Sequence, residues 1–310
     1  MTIVVAGGTG LAGSAIVRAY VSAGHEVIPV GRKSVDLLNR EATFDFIQRV
    51  KPTLIVDAAA KVGGIGANST YPVEFLADNL RIQNNLMEAA HAADVEKFIF
   101  LGSSCIYPRD CAQPIKEEYL LSGPLEETNS AYAVAKIAGI ELIKSFRKEY
   151  GRKWISLMPT NLYGPNDNFE LQGSHVLPAF IRRFVEAAEK RASVETLWGT
   201  GSPMREFLHV DDLAQAVLHL GEKYDSSEHI NVGTGEDLSI KELAELVAEL
   251  SGFKGELAWD SSKPDGTPRK VLDVSKAKAL GWTPQISLRD GIASTIAWYK
   301  DAIAKGEVRR

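Results

Sequence analysis

The sequence predicts an α/β fold in which a doubly wound parallel sheet is joined to a smaller C-terminal α+β domain. Two observations support this prediction. In the first half of the chain, short runs rich in β-branched residues alternate with amphipathic stretches of helical length, a pattern typical of a parallel sheet covered by helices. After about Asn161 long loops and separate helices replace that alternation.

The predicted elements follow from this pattern. The predicted strands are residues 2–6, 26–30, 54–58, 97–101 and 154–158. The predicted helices are residues 11–23, 42–50, 73–92, 130–150, 175–190, 211–224, 240–250 and 288–304. The run Phe98-Ile99-Phe100-Leu101 lacks polar alternation, which favours a strand buried on both faces.

Composition narrows the class of protein. Apolar residues make up 45% of the 310 residues and the net charge is −5, so we expect neither nucleic acid nor an anionic membrane as a partner. The first predicted strand begins at Thr2 without a preceding basic segment, which leads us to expect no signal peptide and a cytoplasmic location. Cys105 and Cys111 lack metal-site spacing with histidines, and we predict neither a metal site nor a disulfide.

A glycine-rich loop follows the first predicted strand. It reads Gly7-Gly8-Thr9-Gly10-Leu11-Ala12-Gly13. Without side chains, such a loop lets the backbone approach a pyrophosphate at the N-terminus of the following helix. We therefore predict a dinucleotide site, with a merely tight strand–helix turn as the alternative.

The end of the second predicted strand indicates which dinucleotide is bound. It reads Val30-Gly31-Arg32-Lys33 and has no acid to bind the ribose hydroxyls. The planar guanidinium of Arg32 suits a 2′-phosphate, so we predict NADP(H). A solvated basic turn is the alternative.

Tyr132 and Lys136 are four residues apart within a predicted helix, which places them on one face. A nearby ammonium favours the phenolate, so we expect Lys136 to lower the pKa of Tyr132 toward the range useful for proton transfer. Ser103 and Ser104 directly follow a predicted strand, at the sheet edge where ligands bind. The alternative is an exposed Tyr–Lys pair on an amphipathic helix.

The glycine loop, Ser103 and the Tyr132–Lys136 pair together resemble the extended short-chain dehydrogenase/reductase family, whose fold is Rossmann-like. The resemblance implies that Tyr132 exchanges a proton with a sugar carbonyl or hydroxyl, that Ser103 orients this oxygen, and that Lys136 binds the cofactor ribose. The implied NADP(H) contacts are Gly7, Gly8, Thr9, Gly10, Leu11, Ala12, Gly13, Arg32, Leu101, Gly102, Ser103, Ser104, Lys136, Pro159, Thr160, Asn161, Leu162 and His175.

Further segments resemble the members of this family that act on a GDP-sugar. These segments are residues 58–64, 101–108, 158–165, 174–176, 203–212 and 263–270. The implied reaction converts GDP-4-keto-6-deoxy-D-mannose to GDP-L-fucose by epimerisation at C3 and C5 followed by reduction at C4.

Epimerisation requires a base on one face of the sugar and an acid on the other. By resemblance, Cys105 is the base and His175 the acid, types of side chain that can titrate near neutral pH. Tyr132 and Ser103 would stabilise the enolate oxygen. Without the resemblance, Cys105 is more simply a packed core thiol and His175 a polar residue at a helix start.

The resemblance also implies a GDP site formed by Arg183, Trp198, Arg205 and Asp265. The two arginines suit the pyrophosphate because a guanidinium bonds phosphate in bidentate fashion. Trp198 is alternatively a core residue and Arg183 an exposed helix charge. One departure from the family concerns the cofactor: Thr9 stands where related enzymes can carry an arginine for the 2′-phosphate, which leaves Arg32 for that role.

The domain division is also an expectation. We expect an NADP-binding Rossmann domain at residues 1–166, with about 205–232 returning to it, and a substrate-binding domain at 167–204 and 233–310. By resemblance, helices 73–92 and 130–150 pair with those of a second copy in a homodimer; burial against the sheet is the alternative.

Three other functions compete with this interpretation. An NDP-sugar 4-epimerase keeps NAD bound and needs no net reductant, whereas a 4,6-dehydratase carries acidic groups after the family serine, where this chain has Ser104 and Cys105. A non-catalytic NAD(P)-sensing module usually lacks the tyrosine or the lysine, and this chain retains both.

Overall fold

A computed structural model describes residues 1–171, 173–263 and 265–308 of the chain. Its largest sheet has six parallel strands, which confirms the predicted fold class. In spatial order these are β10 (Ile230–Val232), β5 (Ile155–Pro159), β4 (Lys97–Leu101), β3 (Leu54–Asp57), β1 (Thr2–Ala6) and β2 (Glu26–Val30).

Helices cover both faces of this sheet. On one face lie α1 (Leu11–Ser22) and α7 (Val210–Lys223); on the other lie α2 (Arg40–Val50), α4 (Pro72–Ala92) and α5 (Ser130–Tyr150). The central strand β4 shows why its sequence lacks polar alternation: Phe98 and Phe100 pack toward α4 and α5, whereas Ile99 and Leu101 pack toward α1 and α7.

The remaining elements form smaller sheets and a third apolar cluster. The strands are β6 (Asn161–Tyr163), β7 (Val194–Trp198), β8 (Met204–Arg205), β9 (Phe207–His209), β11 (Leu238–Ser239), β12 (Glu256–Asp260) and β13 (Arg269–Lys270). The helices are α3 (Ile65–Thr70), α6 (Val176–Glu189), α8 (Ile240–Ser251), α9 (Ser275–Ala279) and α10 (Leu288–Lys305). Phe184, Leu243 and Ile296 join α6, α8 and α10 in one buried cluster.

Most predicted elements are present, with ends that differ by one or two residues. Strand β3 ends at Asp57 and α6 begins at Val176, so His175 precedes the helix as its N-cap residue. The short strands β6 to β13 and the helices α3 and α9 were not predicted from the sequence. Strand β10, which lies within the segment 205–232, pairs with β5 of the large sheet. The division of the chain into two domains stays a prediction.

None of the described helices is both long and apolar enough to span a bilayer.

Candidate active site

The glycine loop between β1 and α1 is tightly packed. Gly7 has φ +73°, and a Cβ added to it would lie 2.6 Å from the carbonyl oxygen of Ala58. A Cβ on Gly13 would lie 2.1 Å from the oxygen of Gly7. Gly10 caps α1 without a side chain, so the N-terminal end of the helix presents backbone rather than side chain. This arrangement fits a dinucleotide pyrophosphate.

Thr9 and Arg32 lie at the same edge of this loop. A Cβ on Gly31 would lie 2.7 Å from the Thr9 hydroxyl oxygen, which places Thr9 against the turn that carries Arg32. Arg32 is exposed. Its charge is therefore accessible to a bound anion, and its contact with a 2′-phosphate stays a prediction.

Lys136 links helix α5 to the carboxyl end of β4. Its side chain is buried, and its Nζ donates a hydrogen bond of 2.8 Å to the Leu101 carbonyl. The same Nζ lies 4.7 Å from the centre of the Phe100 ring and 5.9 Å from that of Tyr132. The structure thus places the predicted Tyr–Lys pair beside the strand that leads to Ser103.

Ser103 begins the turn that carries Cys105. Its backbone is extended, and its hydroxyl oxygen accepts a hydrogen bond of 3.4 Å from the Cys105 amide. Two more hydrogen bonds lie just after β5, the strand next to β4: the Thr160 hydroxyl and the side-chain Nδ2 of Asn161 donate to the Glu206 carbonyl at 3.4 and 2.8 Å.

The expectation that Lys136 lowers the pKa of Tyr132 is wrong. Burial raises the pKa of Tyr132, and negative charge at Cys105 and Asp57 acts in the same direction. Burial also lowers the pKa of Lys136, while Asp57 and Cys105 oppose that change. Tyr132 therefore stays protonated near neutral pH, a state that suits a proton donor.

Cys105 is buried, with 8% of its surface exposed, as a core thiol would be. It is nevertheless near enough to Tyr132, Lys136 and Lys270 to act on their pKa values. Burial lowers the pKa of Lys270, while negative charge at Cys105 raises it. Lys270 stands opposite Arg205 in the β13–β8 pair. Lys270 lies in the segment 263–270 that carries the resemblance, but the sequence alone did not single it out.

His175 lies exposed at the start of α6. The preceding loop packs on the start of α3, where the Gly64 amide donates a hydrogen bond of 3.0 Å to the Gly173 carbonyl. Although part of its surface reaches solvent, the protein packed around the ring lowers the pKa of the imidazole by desolvation. Its imidazolium is therefore a stronger acid than usual but is less populated near pH 7.

Trp198, at the end of β7, is 73% exposed, which excludes the core-packing alternative. Lys263 Nζ lies 5.7 Å from the centre of its ring. The adjoining loop is held by Asp265, which accepts hydrogen bonds of 3.0 and 2.7 Å from the amide and hydroxyl of Thr200. Burial lowers the pKa of Arg205, and Asp265 opposes this.

Arg183 is not the exposed helix charge of the alternative reading. Its Nε donates a hydrogen bond of 2.6 Å to Glu195, and its Nη2 donates to the Thr196 carbonyl at 2.5 Å. These bonds fasten α6 to β7, the strand that ends at Trp198. Because Glu195 offsets its charge, a role for Arg183 at the pyrophosphate stays a prediction.

Asp57 is a second residue that the sequence analysis missed. It ends β3 and is fully buried. Burial raises its pKa to about 6, although the charge of Lys136 acts to lower it. An acid within the apolar run Leu54-Ile55-Val56-Asp57 was the available signal.

Comparisons with known proteins agree with this geometry. The model of the NAD dependent epimerase/dehydratase family matches residues 3–233. A probable GDP-L-fucose synthase 1 from Oryza sativa subsp. japonica is 54% identical over 97% of this chain and 92% of its own length. The GDP-L-fucose synthase of Escherichia coli (strain K12) is 49% identical over 96% of both chains.

A solved structure is similar as well. The GDP-L-fucose synthetase from Naegleria fowleri bound to NADP gives a TM-score of 0.91 at 29% identity, covering 100% of this chain and 96% of that one. The chain belongs to the NAD dependent epimerase/dehydratase family. The resemblance to extended short-chain dehydrogenases/reductases is thereby confirmed.

Proposed function

We propose that this protein converts GDP-4-keto-6-deoxy-D-mannose to GDP-L-fucose by inverting C3 and C5 and then reducing C4 with NADPH. The observation that carries the proposal is the end of β4. There the Lys136 Nζ bonds the Leu101 carbonyl at 2.8 Å and lies 5.9 Å from the centre of the Tyr132 ring, and the turn that follows carries Ser103 and Cys105. Such a site would supply groups both for proton transfer at carbon and for reduction of a carbonyl. The names of the relatives from rice and Escherichia coli point the same way.

The cofactor would be held by the glycine loop, by Arg32 at the 2′-phosphate, and by Lys136 at the ribose. Bound there, NADPH supplies the hydride that adds to C4. The free helix N-terminus and the close-packed glycines support this placement, and the absence of an acid at the end of β2 favours NADP over NAD.

The epimerisation follows from the acidity of protons next to a ketone. A thiolate at Cys105 removes the proton from C3 or C5, and the electron pair moves onto O4 as an enolate. Ser103 and Tyr132 donate hydrogen bonds to that oxygen. His175 returns a proton to the opposite face of the carbon, which inverts it.

The reduction uses Tyr132 as an acid. As C4 gains a hydride, O4 becomes an alkoxide and takes the hydroxyl proton of Tyr132. The raised pKa of Tyr132 suits this role because the group reaches the reaction protonated. The Lys136 ammonium stabilises the phenolate that remains.

The GDP part of the substrate is assigned to the surface around Trp198. An exposed indole offers a stacking face for guanine, and Arg205 lies on β8 near Asp265. We assign the pyrophosphate to Arg205, with Arg183 as a second ligand.

We also propose a homodimer. Val73 on α4 and Val134 on α5 are 75% and 46% exposed. These helices pack together on one face of the sheet, and the same pair from a second copy would cover both side chains in a four-helix bundle.

The test is oxidation of NADPH on addition of GDP-4-keto-6-deoxy-D-mannose, followed by absorbance. We expect one NADPH consumed per sugar, with NADH and the UDP analogue as poorer substrates. Conversion of an NDP-hexose without net reductant would instead identify a 4-epimerase. Cofactor binding without turnover would support a sensing module.

A further inference from the structure

Asp57 is an unusual residue for the centre of a parallel sheet. It stands between Ala6 of β1 and Phe100 of β4 in the strand register. One carboxyl oxygen, Oδ1, accepts a hydrogen bond of 3.1 Å from the Ala59 amide. The other, Oδ2, is buried and has no hydrogen-bond partner among the described residues. A buried polar atom left unpaired is costly and requires an explanation.

The strand register places Asp57 on the same side of the sheet as Lys136. Ile55, two residues earlier in β3, packs in the same cluster as Phe100, and side chains two residues apart share a face. Lys136 Nζ lies over the Phe100 ring on that face. The carboxylate and the ammonium therefore both lie beside the Phe100 side chain on the same face of the sheet.

The charged groups around Asp57 come from two elements. Lys136 and Tyr132 act on it or are acted on by it from α5, and Cys105, on the turn after β4, acts on the same two side chains. Its neighbour on β1, Ala6, carries no ionisable group. Burial works against an ammonium at position 136, and Asp57 is the largest opposing influence on its pKa.

We propose that Asp57 is a positioning residue whose carboxylate keeps Lys136 in its ammonium form beside Tyr132. This role rests on the proposed function, because the Lys136 ammonium is needed to stabilise the Tyr132 phenolate during the C4 reduction. This role explains why Oδ2 has no hydrogen-bond partner among the described residues: no donor offsets its negative charge, which therefore acts on Lys136. The residue touches neither substrate nor cofactor in this account and acts through Lys136.

The first test is the pH profile of reduction in Asp57→Asn, a change that preserves shape and removes the charge. Below about pH 5 the native carboxyl is largely protonated, so variant and parent should be equally active. At higher pH they should diverge, with the alkaline limb of the variant moved to lower pH by about one unit or more. A uniform loss across the whole pH range would overturn the proposal, since that is the signature of structural damage.

Asp212→Asn is the matched control. Asp212 is also buried, and its two oxygens accept hydrogen bonds of 2.9 Å from the amides of Gln285 and Ile286. It lies on α7, across the sheet from Lys136. We expect Asp212→Asn to leave the alkaline midpoint where the parent has it. An equal shift in both variants would contradict the specific role of Asp57.

The second test does not depend on turnover. The protein is labelled with [ε-¹³C]lysine, the Lys136 resonance is assigned by its loss in Lys136→Arg, and its titration is followed by NMR. We expect the titration midpoint of Lys136 to move to lower pH in Asp57→Asn and to stay at the parent value in Asp212→Asn. An unchanged midpoint would refute the proposal even in an active enzyme. If the native protein failed to reduce the sugar, this titration would still decide the effect of Asp57 on Lys136.

Discussion

The pKa values of Tyr132, Lys136 and Asp57 are shifted most by the removal of each side chain from water. Each of the three groups is thereby pushed toward its neutral form. Neighbouring charges partly restore the ionised forms of Lys136 and Asp57, whereas at Tyr132 they add to the effect of burial. The i, i+4 spacing of Tyr132 and Lys136 could be predicted because it is local helix geometry. Their pKa values could not, because burial depends on strands and loops far away in sequence.

Removing the hydroxyl of Tyr132 tests its role as an acid. We expect Tyr132→Phe to lower the rate of NADPH oxidation with the 4-keto sugar nucleotide by about 100-fold or more, since a positioned proton donor contributes at least that much. The ring remains, so its edge-to-face contact with Phe75 persists and stability should change little. NADPH fluorescence should show unchanged cofactor binding. Normal oxidation by the variant would exclude the assigned role.

Asp57 should also make stability depend on pH. Its folded pKa of about 6 lies above the ordinary 3.8, so its contribution is fully present below the unfolded pKa and is lost as pH rises through the folded one. Asp57→Asn removes this dependence. We expect the free energy of unfolding of the variant, relative to the parent, to rise by about 2 kcal/mol between about pH 4 and pH 8.

Urea denaturation at both pH values measures this difference. A variant that is destabilised equally at the two pH values would show that the carboxyl has an unrecognised partner. In that case the unpaired Oδ2 would no longer support a functional role for Asp57.

At the scale of elements, the six-stranded sheet and its helices could be predicted because each is long enough to carry its own periodicity. Strands such as β8 and β13 contain two residues each and form through partners distant in the chain. Lys270 and Arg205 meet only through that pairing, which is why Lys270 escaped the sequence analysis although its segment was recognised.

Glu206 shows how these short elements are held together. It is buried; its Oε1 accepts hydrogen bonds from the amides of Thr234 and Gly235 at 2.6 and 2.8 Å, and its Oε2 accepts one from Leu272 at 2.9 Å. In Glu206→Gln, the new NH₂ group would face the Leu272 N–H, donor against donor.

We expect Glu206→Gln to lower the free energy of unfolding by about 2 kcal/mol. Chemical denaturation with Glu245→Gln, an exposed change on α8, as control measures this; the control should stay within about 0.5 kcal/mol of the parent. Equal stability of the two variants would mean that Glu206 does not hold this junction.

At the scale of the whole molecule, the open question is what covers the exposed valines of α4 and α5. The proposed homodimer predicts a mass in solution of about twice 33.8 kDa by light scattering. Val134→Lys should shift the protein toward the monomer, because a charge at the centre of an apolar interface is poorly tolerated. Val21→Lys, at a 54% exposed valine on α1, should leave the mass unchanged. A monomeric parent protein would rule the dimer out.

The central claim is that one site performs both proton exchange at carbon and reduction at C4. Its most direct test is NMR and mass analysis of the product formed from GDP-4-keto-6-deoxy-D-mannose and NADPH in D₂O, with Cys105→Ser and His175→Ala as comparison variants. The account predicts GDP-L-fucose with solvent deuterium at C3 and C5 from the native protein, and loss of that deuterium from both variants. A reduced product of unchanged configuration, without deuterium at either carbon, would contradict it.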